Sequence, residues 1–74
     1  MSRLLHETGE VLWGPLWKRE MSRSLGVNER TVRRWAAGVS PVPSGVWVDL
    51  LRLSQERAAA LDALQGRLAE AGAG

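Results

Sequence analysis

Three arginines, Arg30, Arg33 and Arg34, crowd into the stretch LGVNERTVRRWAAG, residues 25 to 38, with Trp35 set beside them. A guanidinium is always charged and presents a planar fork of N–H donors, which suits two-point hydrogen bonding to guanine O6 and N7 or to a phosphate. The charge around them is concentrated. Between Leu16 and Gly38, six basic residues stand against two acidic ones, leaving that segment at +4 and the rest of the chain at −2. A local basic patch on a nearly neutral protein is the electrostatic footprint of a nucleic-acid site, although it also describes an ordinary solvated face.

Other chemistry finds less support. His6 and Glu10 share an i, i+4 spacing that could supply two metal ligands, but no third candidate accompanies them and the chain has no cysteine. A surface pair is expected there, and no metal. There is no nucleophile with a plausible base, no glycine-rich phosphate loop and no cluster of acids, so neither an enzyme nor a cofactor is expected.

The elements that must position the arginines can be read from spacing. Strand formers are scarce, with no Phe or Tyr, and Ala, Leu, Arg and Glu dominate, which predicts an all-α fold. Leu4, Leu5, Thr8, Val11 and Leu12 recur at helical spacing and predict a first helix over Arg3 to Trp13. Gly14-Pro15 stops it, and Pro15 suits the first position of a second helix running to Leu25, with Leu16, Trp17, Met21 and Leu25 inward. Gly26 fits a left-handed corner, after which Val27 drops into the core. Asn28 caps a third helix, Glu29 suits its positive end, Val32 and Trp35 define its buried side, and Gly38 closes it.

The segment VSPVPSG reads as an ordered loop, and Pro43 opens a terminal element extending to about Ala71. Val46, Trp47, Leu50, Leu51, Leu53, Leu61, Leu64 and Leu68 give that element helical spacing, with a polar interruption from Ser54 to Arg57 where it could break. Trp35 and Trp47 are expected in the core. Residues 1–71 therefore form one domain of four to five helices, and residues 72–74 a disordered tail. No apolar run spans a bilayer and MSRLLHETGE lacks a signal-peptide core, which points to a cytoplasmic protein without a membrane partner.

The stretch KREMSRSLGVNERTVRRWAA, residues 18 to 37, resembles the helix-turn-helix of the λ repressor and Cro-like DNA-binding proteins. That motif wants a small residue where Ser22 stands, glycine at Gly26, and apolar residues at Met21, Leu25, Val27, Val32 and Trp35. Ser22 departs from the commoner alanine but is small enough. With its flanking helices the likeness covers about residues 3 to 53. It implies a λ repressor-like bundle in which the helix from Asn28 to Gly38 enters the major groove of double-stranded DNA. Arg30, Arg33 and Arg34 would then read bases, while Glu29 either accepts from a cytosine amino group or orients Arg30 or Arg33. Asn28 and Thr31 would touch phosphates. Lys18 and Arg19 would neutralise phosphates at the start of the second helix. Trp17 could donate its indole N–H to a phosphate while its ring packs inside.

The distal part of the terminal helix reaches past anything so small a cap can cover. Its Leu61, Leu64 and Leu68 therefore call for a partner, most simply a second copy, and a homodimer would present two reading helices about 34 Å apart to an inverted-repeat operator. The function expected is a dimeric transcriptional regulator, most simply an autorepressor of bacterial or phage origin with no small-molecule effector. The likeness would also suit the small regulators that accompany anti-CRISPR genes, or an antitoxin-like regulator. Two other classes stay open: a protein-interaction module on the same scaffold, and a weakly specific nucleic-acid packaging or RNA-binding factor.

Overall fold

The computed structural model describes residues 2–73, and no strand occurs among them. In chain order come α1 (Arg3–Trp13), a single 3-10 turn (Gly14–Leu16), α2 (Trp17–Leu25), α3 (Glu29–Ala37) and α4 (Ser44–Ala73). The first three helices and the start of α4 enclose one small core, and the remainder of α4 extends from it, giving dimensions of 52 × 22 × 20 Å. Among the described residues, no helix is long and apolar enough to cross a membrane.

Helix α1 starts where Ser2, in extended conformation, accepts a hydrogen bond from the Leu5 N–H at 3.3 Å. Leu5 and Leu12 turn inward, whereas Leu4 and Val11 of the same apolar stripe face solvent. Gly9 lies between the two buried leucines, and a Cβ there would overlap the Trp17 ring. That contact locks α1 to α2, because only a residue without a side chain lets the indole lie against the helix backbone. His6 completes the same corner: its ring meets Trp17 edge-on with centroids 5.1 Å apart. The expected surface pairing of His6 with Glu10 therefore gives way to an aromatic contact.

The second helix begins two residues later than its sequence suggests. Gly14, at φ 79°, ends α1, and Pro15 initiates a 3-10 turn, so α2 proper starts at Trp17. Tighter winding through that turn changes which side chain faces inward. Of the two neighbours expected on the inner face, Trp17 is in the core and Leu16 is 73 % exposed.

Both α2 and α3 close on a left-handed glycine. Gly26 (φ 69°) and Gly38 (φ 78°) each let the following residue reach back, with Val27 N–H bonding the Ser22 carbonyl and Val39 N–H the Arg34 carbonyl, both at 3.0 Å. This arrangement satisfies carbonyls that a helix end otherwise leaves without partners. Val27 packs against the core as its sequence position suggests.

Helix α4 is continuous over 30 residues, with no break near Ser54. The polar interruption is accommodated locally. The Ser54 hydroxyl donates to the Leu51 carbonyl at 2.7 Å, and the Arg52 guanidinium reaches across to Glu56 at 3.0 Å. Neither group needs the backbone to leave the helix, and the alanines that follow have the highest helix propensity. The helix also takes in Gly72 and Ala73, so two of the three residues expected as a disordered tail are helical; Gly74 lies outside the described residues.

Candidate nucleic-acid interface

The basic face is built on α3, and the core holds α3 from behind. Val32 is fully buried, Trp35 and Ala36 nearly so, and they pack with Leu5, Trp17, Met21 and Leu50. The end of α3 is tied directly to the start of the chain, because the Ser2 N–H donates to the Ala36 carbonyl at 3.3 Å. No two elements pack more extensively than α2 and α3. The small residue this packing needs is Ser22, which is buried and discharges its hydroxyl onto the Arg19 carbonyl at 2.7 Å. A buried hydroxyl without such a partner would cost about 1–3 kcal/mol.

At the entrance to α3, Asn28 is extended and its side-chain oxygen accepts from the Arg30 N–H at 2.8 Å. Its backbone carbonyl accepts from Thr31 N–H at 2.9 Å. Asn28 is thereby engaged as a helix cap, a role worth roughly 0.5–2 kcal/mol. Glu29 follows in the first turn, where a negative charge is favoured by the helix dipole.

Glu29 also resolves an ambiguity of the sequence. Its carboxylate binds the Arg33 guanidinium at 2.6 Å, so within this chain it orients Arg33 and not Arg30. The pair is largely exposed and contributes only about 0.2–1 kcal/mol to stability, but it gives Arg33 a preferred direction. Arg30 and Arg34 are exposed and make no ion pair among the described residues. Their donors face water. Thr31 is half-buried between them.

On α2, Lys18 is half-buried, and its ammonium stands 5.7 Å from the centroid of the Trp17 ring, over whose face a cation is attracted. Arg19 is exposed, and Arg23 pairs loosely with Glu20 at 3.8 Å. Trp17 itself is 4 % exposed, so its ring belongs to the core, with Gly9 and His6 against it and Lys18 above. Its contribution to a surface is indirect, through the placement of Lys18. No group of three or more His, Cys, Asp or Glu side chains that could hold a metal ion is gathered among the described residues.

The surface therefore offers exposed guanidiniums on a helix anchored at both ends, with an ammonium at the start of the neighbouring helix. Such a surface can donate charge-assisted hydrogen bonds to an anionic or acceptor-rich ligand with little reorganisation. On distal α4, Leu61, Leu64 and Leu68 are 48, 44 and 60 % exposed. Gly9, the Ser2 cap and the Ser22 hydroxyl were not singled out by the sequence pattern, though Ser ahead of an apolar helical stripe is a recognisable cap signal. The chain matches no family model, no curated protein and no solved structure.

Proposed function

We propose that this chain is a sequence-specific, double-stranded DNA-binding transcriptional regulator with a λ repressor-like helix-turn-helix, acting as a dimer and most simply as a repressor. α2 and α3 form the two helices of the motif, Gly26 its corner, and α3 enters the major groove. The observation that carries this reading is the sidedness of α3: Val32 and Trp35 are buried while Arg30, Arg33 and Arg34 stand exposed on a helix capped and tied at both ends.

In this function Arg30, Arg33 and Arg34 read base edges, with Glu29 setting the direction of Arg33. Lys18 and Arg19 neutralise phosphates, and Asn28 and Thr31 lie where the helix N-terminus approaches the backbone. Leu61, Leu64 and Leu68 supply the dimer contact. With six to ten phosphates engaged per dimer, affinity should fall about 10³- to 10⁵-fold between 50 and 200 mM salt.

Selection from random duplexes, followed by an anisotropy titration of the winner against scrambled competitor, tests this. An inverted repeat bound at least about 10³-fold more tightly than the scrambled duplex is expected. Enrichment of no sequence, with equal affinity for all duplexes, would replace specific regulation by packaging; no affinity for any duplex would remove nucleic acid altogether.

A further inference from the structure

Between α1 and the first turns of α4 runs an apolar groove of about 460 Å³, with Leu12 and Leu50 at its base and Leu4, Val11 and Leu51 along its edges. Those three edge residues are 59, 77 and 58 % exposed. The same chain carries a second apolar surface on α4, where Leu61, Leu64 and Leu68 are exposed, as is every residue from Gln55 to Ala73. Contiguous exposed apolar surface of this kind marks an interaction site.

We propose that one occupant covers both: the distal half of α4 from a second copy lies antiparallel in the groove, and the reciprocal contact forms on the other side of a two-fold axis passing near residues 59 and 60. This rests on the dimeric reading above and specifies its architecture. The support lies in how the sequence of α4 matches its own reverse. Trp47, Leu51, Ser54, Ala58, Leu61, Gln65 and Leu68 follow one another at alternating spacings of four and three, the repeat of a coiled-coil seam. Setting Leu51 opposite the partner's Leu68 brings Ser54 opposite the partner's Gln65 and Ala58 opposite the partner's Leu61. Polar meets polar and small meets large. The same register puts Trp47 against the partner's Gly72, Gln55 beside the partner's Asp62, and the Arg57 stem along the partner's Leu64, with no like charges apposed between the two α4 helices.

A parallel pairing would gain Arg57 against the partner's Asp62. It would also stack Trp47 on Trp47 and Ala58 on Ala58, alternating a crowded layer with a gap, and would bring together the two ends already flanked by α1. The antiparallel register has a further consequence. Each cap packs around its own Leu50, and the two Leu50 positions fall about 19 residues apart along the paired helices, roughly 28 Å at 1.5 Å per residue. That is of the order of the 34 Å between half-sites one DNA turn apart.

Because the chain has no cysteine, disulfide trapping is free of background. In a variant carrying Leu51→Cys and Leu68→Cys, the two thiols sit roughly 25 Å apart on one rigid helix and cannot pair internally. Mild oxidation should turn most of it into a covalent dimer on a non-reducing gel, while Leu68→Cys alone stays monomeric. Both positions are exposed on the single chain and lie outside its core, so the disulfide-joined dimer should show the helix content of the wild-type protein by circular dichroism. Rapid cross-linking of Leu68→Cys alone, which marks a parallel pair, would overturn the proposal, as would wild-type protein sedimenting as a monomer. A trapped dimer that binds no duplex leaves this pairing standing and removes the regulatory function. Specific DNA binding by a chain that does not cross-link does the reverse.

Discussion

Helix α3 and the distal half of α4 are both exposed helices rich in charged and aliphatic side chains, yet they are held in opposite ways. α3 has a buried side formed by Val32, Trp35 and Ala36, a side-chain cap at Asn28, a left-handed glycine at its end and a tie from Ala36 to Ser2. Distal α4, from Gln55 onward, has no buried residue at all. Its helicity depends on alanine-rich local propensity and on continuity with the packed turns around Leu50, which is a weak basis for a segment of that length in isolation. One surface is polar and rigidly supported, and the other is apolar and unsupported. A polar surface held rigid suits recognition of a fixed charged shape, whereas an apolar edge held by nothing calls for a partner that completes it.

Substitutions that break this contrast should have graded effects. The largest is expected behind α3: Trp35→Ala removes a buried indole and should destabilise the cap by about 3–5 kcal/mol in denaturant titration, enough to leave so small a domain mostly unfolded. Next comes Gly9→Ala, where the added methyl meets the Trp17 ring and should cost about 1–3 kcal/mol, although the residue lies on α1 and not on the basic helix. A melt indistinguishable from wild type would mean that the α1–α2 contact is looser than described. By contrast, Leu68→Asp, which sets a carboxylate against the partner's Leu51, should leave the cap's secondary structure intact and act on assembly, giving a monomer by light scattering whose melting temperature no longer rises with concentration.

Effects on binding sharpen the comparison from the polar side. Arg33→Ala should weaken the selected site by about 1–3 kcal/mol and relax preference at one base, whereas Lys18→Ala should weaken all duplexes alike and reduce the salt slope by about one. Equal losses on specific and random duplexes for both variants would argue against base reading by α3. The smallest effect is expected at the cap itself, with Asn28→Ala costing about 1 kcal/mol of stability.

The sequence made α3 and its neighbours legible because each boundary there is chemically explicit. Gly26 and Gly38 occupy left-handed positions, Asn28 caps, and Val32 and Trp35 fall on the buried side, all as their types and spacing imply. Legibility failed where tertiary contacts overrode the periodic pattern. Leu16 fits the inward stripe beside Trp17, but the 3-10 turn at Pro15 leaves Leu16 facing solvent while Trp17 stays inside, and nothing in an apolar spacing distinguishes the two. Gly9 reads as a mild defect in a helix until the indole packed against it is seen. The polar run from Ser54 to Arg57 resembles a break because composition does not reveal that Ser54 and Arg52 find partners within the helix. Trp17 packs its ring inside as its place on the apolar stripe implies, and the sequence does not show that Gly9, His6 and Lys18 surround it.

The difference between the two regions is most directly measured by amide and arginine side-chain chemical shifts of labelled protein as the selected duplex is added. The account predicts that shifts concentrate on Asn28 to Arg34 and on Lys18 and Arg19, while Leu61, Leu64 and Leu68 stay where they were in the free dimer. Perturbations centred on distal α4, with α3 unmoved, would contradict it.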